Sequence, residues 1–166
     1  MSQSDLARFR RMCGQFRWLA VFMVVSVGSL LALMHVIAPS VLALRGDFRS
    51  TPVQWLAQTT WGLPAAFYLF AVWSIGSAMG QLAKGRLIQP TLSRALRRVG
   101  LSLGIGGVVS VFVVSNLIRL MGETRGGYLH FDVAGMTLGM MGGALFLLGR
   151  VIDQADRVQA ELDEMI

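Results

Sequence analysis

Few residues in the long apolar segments of this sequence could do chemistry. His35 and His130 are its two histidines, and imidazoles on different helices can ligate haem iron. Each is more simply explained as a neutral histidine with a hydrogen-bond partner. A haem- or quinone-associated redox subunit that uses His35 and His130 therefore remains an alternative function, and no cofactor is predicted.

One pair of opposite charges stands close to the apolar segments. Arg119 ends the third segment and Asp132 begins the fourth, and ionisable residues at such positions are costly and often functional. Because a short connection joins the two segments, an ion pair between Arg119 and Asp132 is predicted to close a helical hairpin. A ligand or proton site at the same residues is the alternative.

Other catalytic arrangements are not visible in the sequence. The run Gly104-Ile105-Gly106-Gly107 lies within an apolar segment, so it is not a nucleotide-binding fingerprint. Cys13 is the single cysteine, which excludes an internal disulfide and a paired-cysteine metal site. The chain is therefore predicted not to be an enzyme and to hold no metal.

Four apolar segments must position these residues. Hydrophobic residues make up 54% of the chain and charged residues 14%, whereas about 25% charge is usual in soluble domains. A helix needs roughly 20 apolar residues to cross about 30 Å of hydrocarbon, and four segments are long enough. The spans are predicted at residues 18–44, 61–83, 99–121 and 128–149. The predicted fold class is all-α, a four-helix bundle that passes through the membrane several times.

Amphipathic segments flank these spans. Residues 1–17 are predicted to form an interfacial helix, since apolar residues recur at helical spacing among arginines. Residues 150–166 are predicted to continue the fourth span as a cytoplasmic helix. Its heptad seam consists of Val151, Ala155, Val158, Leu162 and Met165.

Glycines at four-residue spacing occur in three spans. They are Gly135, Gly139 and Gly143 in the fourth span, Gly100 and Gly104 in the third, and Gly76 and Gly80 in the second. In lipid, glycine lets helix backbones approach closely, and dispersion contacts then hold them together. Two interpretations remain open, which are packing within the chain and a surface for another membrane protein.

Several short motifs follow one another along the chain from residue 63 onward. They are Leu63-Pro64-Ala65, Ala83-Lys84-Gly85-Arg86-Leu87-Ile88, Leu96-Arg97-Arg98-Val99-Gly100, and Arg150-Val151-Ile152-Asp153-Gln154-Ala155 before an acidic close. By these motifs the chain resembles a bacterial family of uncharacterised four-helix membrane proteins, the domain of unknown function twenty-nine seventy-five. The resemblance implies four spans and no known catalysis, and some members resemble partners of small helix-turn-helix regulators.

The favoured hypothesis is a non-enzymatic protein of the bacterial cytoplasmic (inner) membrane that acts through protein–protein contacts. It would be an accessory or regulatory partner of a small helix-turn-helix regulator or of a larger membrane complex. Besides the lipid bilayer, its partners would be a membrane protein, a cytoplasmic protein or a second copy of the chain. Direct binding of nucleic acid is not expected. A small transporter component is a further alternative, although the spans lack a polar path.

The distribution of basic residues predicts the orientation. Residues 1–17 hold four arginines, residues 84–98 hold five Lys or Arg, and residues 150–166 hold two. The other side holds four, which are Arg45, Arg49 and Arg125 in the connections and Arg119 at the end of the third span, so the positive-inside rule places both termini in the cytoplasm. Reporter fusions should find Gly46 and Gly126 outside and Gly85 inside. A cytoplasmic Gly126 would contradict this topology.

Overall fold

A computed structural model describes residues 3–44, 56, 59–84, 88–120 and 132–164, and within them it shows helices and no strands. The first long helix consists of α1 (Gln3–Ala32), a π-helical turn (Leu33–Ile37) and α2 (Ala38–Leu44). The second is α3 (Leu63–Ala83). The third consists of α4 (Ile88–Val108), a π-helical turn (Val109–Val113) and α5 (Val114–Leu120). The fourth is α6 (Val133–Glu164).

Four stretches of these helices are long and apolar enough to cross a membrane. They are Arg8–Ile37, Leu63–Ala83, Pro90–Leu120 and Val133–Leu162, with mean hydropathies between 1.4 and 2.3. The sequence-based prediction of an all-α chain with four helices long and apolar enough to cross a membrane is therefore confirmed.

The helix ends differ from several predicted boundaries. The predicted interfacial helix at residues 1–17 is not a separate element, because α1 runs without a break from Gln3 to Ala32. Nothing at positions 17 and 18 stops a helix, since a change from charged to apolar side chains leaves the backbone hydrogen bonds intact. The third helix begins at Ile88, so Pro90 stands in its first turn, where the missing N–H has no intrahelical partner to lose.

The helices pack as a row. Along this row α1 contacts α3, α3 contacts α4, and α4 makes its most extensive contact with α6. The outer helices of the row are therefore α1 and α6. Cys13 and Ala20 are buried on α1, whereas Trp18 and Phe22 are 77% and 74% exposed. Exposed apolar side chains on a span are covered by lipid tails, which are as apolar as the side chains themselves.

Candidate functional site

The backbones of α4 and α6 touch at their glycines. A Cβ added to Gly100 would lie 2.4 Å from the Phe146 nitrogen, and one added to Gly107 would lie 2.5 Å from the Gly135 oxygen. A Cβ added to Gly142 would lie 2.5 Å from the Gly104 nitrogen. No side chain fits at these three positions, so the close approach of the two helices depends on glycine.

The contact positions repeat every seven residues rather than every four. On α6 they are the buried residues Gly135, Gly142 and Gly149, and on α4 they are the buried residues Ser93, Gly100 and Gly107. A seven-residue repeat matches two turns of 3.5 residues and favours a left-handed crossing. The four-residue pattern that predicted the interface therefore missed Gly107, Gly142 and Gly149, although their seven-residue spacing is present in the sequence.

The predicted stripe on α6 divides between two surfaces. A Cβ added to Gly135 would lie 2.6 Å from Asp132 Oδ2, and one added to Gly139 would lie 3.6 Å from the Gly107 Cα. Gly143, by contrast, is exposed, and a Cβ there would meet nothing within 4 Å. Gly135 and Gly139 therefore pack within the chain, whereas Gly143 faces outward.

The remaining predicted glycines have different surroundings. A Cβ added to Gly76 would lie 2.8 Å from the Ala20 Cβ, and one added to Gly80 would lie 2.7 Å from Arg17 Cδ. These two glycines let α1 approach α3. A Cβ added to Gly104 would meet nothing within 4 Å, so this residue contributes its backbone to the α4–α6 contact and has room for a side chain.

Adjacent glycines on α6 provide a matched test of this packing. We expect Gly142→Ala to lower the free energy of unfolding by roughly 1–3 kcal/mol, because the new Cβ overlaps backbone that cannot move aside. Gly143→Ala should raise it by up to about 1 kcal/mol, since alanine is the better helix former. Thermal unfolding in detergent measures both changes. Equal effects of the two substitutions would contradict the assigned contact face.

Asp132 lies at the start of α6 and acts as its N-terminal cap. Its Oδ1 accepts a hydrogen bond from the Ala134 amide at 3.1 Å, and its main-chain oxygen accepts one from the Met136 amide at 3.0 Å. Its Oδ2 accepts a hydrogen bond from Ser110 Oγ at 2.7 Å. The carboxylate thus satisfies an exposed amide of α6 and joins α6 to the π-helical turn after α4.

The predicted ion pair between Arg119 and Asp132 is not tested by these contacts. Both residues make further interactions. Ser110 precedes Arg119 by nine residues, which is about 13 Å along a helix axis. The hydrogen bond from Ser110 to Asp132 therefore lies more than two turns from the backbone of Arg119. The ion pair stays a prediction, and the hydrogen bond from Ser110 was not predicted.

Tyr68 of α3 packs against Gly106, which lies one turn before Ser110 in the third helix. A Cβ added to Gly106 of α4 would lie 2.7 Å from Tyr68 Cε1, so the glycine makes room for the ring. The Tyr68 hydroxyl is buried and has no hydrogen-bond partner in the described part of the chain. Neither Tyr68 nor Ser110 could be singled out from the sequence, because lone hydroxyl groups are common in membrane helices.

The hydrogen bond from Ser110 gives a second prediction for stability. Ser110→Ala should lower the free energy of unfolding by about 1–3 kcal/mol, because the half-buried carboxylate of Asp132 loses a hydrogen-bond donor. Ser115→Ala is the control, since its hydroxyl donates a long bond of 3.4 Å to the Val111 carbonyl of its own helix. That change should stay within about 0.5 kcal/mol. If the two variants have the same free energy of unfolding, the hydrogen bond from Ser110 to Asp132 does not stabilise the contact between the third helix and α6.

His35 is the one predicted redox ligand within the described residues. It lies in the π-helical turn Leu33–Ile37, with Nδ1 3.2 Å from the Leu31 carbonyl oxygen. His130 lies outside the described residues, so a joint site of the two histidines stays a prediction. Within the described ranges no group of three His, Cys, Asp or Glu side chains could hold a metal ion.

The end of α6 carries the predicted heptad seam. Val151, Val158 and Leu162 are 62%, 51% and 52% exposed, and Ala155 is exposed beside them. Together with Gln154 and Gln159 they form one exposed, mostly apolar face of α6. Met165, the last predicted seam residue, lies outside the described residues.

Asp153 marks the level at which α6 leaves the row. Its carboxylate is 3.8 Å from Arg97 of α4 and 3.6 Å from Arg157, one turn further along α6. The Arg97 guanidinium also lies 5.9 Å from the centre of the Phe146 ring. Both ion pairs are exposed, so each contributes little to stability.

The first turns of α1 project from the same end of the row as the last turns of α6. Arg17 lies against Gly80 near the end of α3, and Gly149 lies against Ser93 near the start of α4. The end of α3 and the start of α4 are neighbours in sequence, so the two levels coincide. We call this the basic end of the row. Beyond it, α1 exposes Phe9, Met12 and Phe16 and the arginines 8, 10 and 11.

The described helices define the protein only as an all-α chain with four helices able to span a membrane. No family model, curated protein or solved structure matches it. The resemblance to the domain of unknown function twenty-nine seventy-five therefore stays a prediction.

Proposed function

We propose that this chain is a non-catalytic protein of the bacterial cytoplasmic membrane that acts through protein–protein contacts. The observation that carries the proposal is the exposed seam of α6. Val158 and Leu162 lie beyond Asp153, the level at which α6 leaves the row, Val151 lies just before it, and all three side chains are more than half exposed. In the proposed arrangement this end of α6 lies outside the hydrocarbon layer, where an exposed apolar patch marks a contact with another molecule.

Charge selects the kind of helix that fits this seam. Residues 150–166 contain five acidic residues and two arginines, whereas residues 1–17 contain four arginines and one aspartate. The matching partner of the acidic seam is thus a basic amphipathic helix. The start of α1 is such a helix, with its exposed Phe9, Met12 and Phe16 among the arginines.

We infer that this contact would form between copies rather than within one chain. Since α1 and α6 are its outer helices, the basic segment of one copy meets the acidic segment of the next. Both segments leave the same end and are about 20 Å long at 1.5 Å per residue, so they can lie side by side in antiparallel directions. Such a head-to-tail contact closes into a ring or continues as a filament.

This arrangement also accounts for an accessory or regulatory role. Another protein with a basic amphipathic helix would compete with the neighbouring copy for the same seam. In that case the fraction of seams open to the other protein would depend on how many copies are assembled.

A pair of substitutions on α6 tests the seam. Val158→Asp places a charge in the seam, whereas Ala160→Asp places the same charge on the opposite, exposed face of the helix. We expect Val158→Asp to dissociate the full-length protein into monomers in lipid nanodiscs and Ala160→Asp to leave its assembly unchanged. The mass of the assembly measures both results. An unchanged assembly of Val158→Asp, or a monomeric unsubstituted protein, would contradict the proposal.

Substitutions on α1 test the identity of the partner. The double change Arg10→Glu and Arg11→Glu should weaken assembly, because it replaces attraction to the acidic seam with repulsion. Added salt should weaken assembly of the unsubstituted protein, because it screens exposed charges. If the double variant assembles normally while Val158→Asp is monomeric, the occupant of the seam is not the start of α1.

A further inference from the structure

A polar cavity lies between α3 and α4 at the basic end of the row. Its volume is about 240 Å³. Its polar lining residues are Ser74, Ser77, Gln81, Thr91, Arg94 and Arg98. The Ser77 hydroxyl donates to the Ser74 carbonyl oxygen at 2.9 Å. The two guanidinium groups and the Gln81 amide remain as donors that suit an anion.

The two arginines of this cavity lack acidic partners within the described residues. Of the three arginines on this part of α4, Arg97 lies near Asp153 of α6, whereas no ion pair of Arg94 or Arg98 occurs in the described part of the chain. The sequence between Asp47 and Glu123 contains no Asp or Glu. Neither α3 nor α4 can therefore supply a counter-charge for Arg94 and Arg98, which are exposed.

An apolar groove continues from this cavity along the same two helices. Its volume is about 400 Å³, and Ala66, Phe67, Phe70, Leu101 and Ile105 supply its apolar walls. Arg98 lines both the cavity and the groove, together with Ser102 in the groove. On α3 the groove and the cavity follow one face from Ala66 to Gln81, because their residues recur at spacings of three and four. A single ligand can therefore reach from one into the other.

The walls on the two sides of the arginines differ. Towards α6, Arg94 and Arg98 border a groove of about 250 Å³ whose other lining residues are Arg97, Leu101 and Phe146. That groove offers no hydroxyl or amide group. Towards α3 the same arginines face Ser77 and Gln81, so the polar part of a ligand is better bound on the α3 side.

We propose that the cavity and groove between α3 and α4 form a binding site for one anionic phospholipid. Arg94 and Arg98 stand one helical turn apart on the same face and bind the phosphodiester, since a guanidinium matches two phosphate oxygens at once. The Gln81 amide donates a further hydrogen bond. One acyl chain lies in the groove against Phe67, Phe70 and Ile105.

A shared arginine distinguishes this site from ordinary attraction of surface arginines to headgroups. Any arginine at a membrane surface attracts anionic lipid, and such attraction is diffuse. A site that holds both parts of the lipid depends on the arginines and on the groove together. Binding should thus be lost when either part is changed.

Native mass spectrometry of the full-length protein in detergent tests the site. The probes are phosphatidylglycerol, phosphatidylcholine with the same acyl chains, and inorganic phosphate. We expect one tightly bound phosphatidylglycerol per chain, preferred over phosphatidylcholine. Arg98→Gln and Arg94→Gln should each weaken phosphatidylglycerol binding about tenfold, as expected for the loss of a charge-assisted contact. Arg98→Lys should lose less, because it keeps the charge.

Two further variants complete the experiment. Arg150→Gln removes an exposed arginine of the basic end that lines neither cavity nor groove, and it should bind lipid normally. Ala66→Trp fills the groove and should weaken phosphatidylglycerol binding without removing a charge. Thermal unfolding establishes that each variant is folded.

Three results would overturn the proposal. The first is an unchanged preference for phosphatidylglycerol in the double variant of Arg94→Gln and Arg98→Gln. The second is an equal loss of binding in Arg150→Gln, which would show diffuse attraction alone. The third is normal lipid binding in Ala66→Trp, and displacement of the lipid by inorganic phosphate would then assign the cavity to a free anion.

Discussion

The structure depends on the direct contact between the backbones of α4 and α6. A Cβ on Gly100, Gly107 or Gly142 would lie within 2.6 Å of backbone atoms of the facing helix. Lipid offers no hydrophobic drive for helix association, so close dispersion contacts must hold the helices together. The seven-residue repeat of small residues keeps these contacts aligned over the crossing. Ser110 and Asp132 add a hydrogen bond at one end of the pair, and Arg97 and Asp153 add an ion pair at the other.

The other helices are arranged around this pair. Contact with α4 places α3 beside it, and Gly76 and Gly80 bring α1 against α3, which leaves α1 and α6 as the outer helices of a row. A row differs from a closed bundle because its outer helices keep one face for lipid or for another protein. The same arrangement leaves a polar cavity and an apolar groove between α3 and α4. Arg98 lines both of them, and Arg94 lines the cavity; neither has an acidic partner among the described residues. The proposed protein contact and the proposed lipid site thus use different faces of one architecture.

The sequence predicts the four apolar helices because membrane crossing depends on length and hydropathy, which composition records directly. It also predicts the exposed seam of α6, since Val151, Val158 and Leu162 keep their spacing whatever surrounds them. A four-residue pattern cannot predict which glycines of α6 contact α4. Gly142 and Gly143 are the same residue type at adjacent positions, and only the crossing angle of the helices decides which one faces α4. The hydrogen bond from Ser110 to Asp132 joins residues 22 positions apart, and the π-helical turn that holds Ser110 has no recognisable pattern. The cleft beside Arg98 depends on how α3 and α4 diverge, which is a property of packing.

The central claim is that the acidic segment of α6 contacts the basic start of α1 of a neighbouring copy. The most direct test is a spin-label distance measurement in lipid nanodiscs on a mixture of two singly labelled proteins, both carrying Cys13→Ser. One protein carries a label through Met12→Cys on α1, and the other through Gln159→Cys beside the seam. The account predicts a short intermolecular distance, of the order of the roughly 10 Å between packed helix axes plus the label arms. It also predicts that this distance disappears when unlabelled protein is added in excess. The absence of any short intermolecular distance in the undiluted mixture would contradict the account.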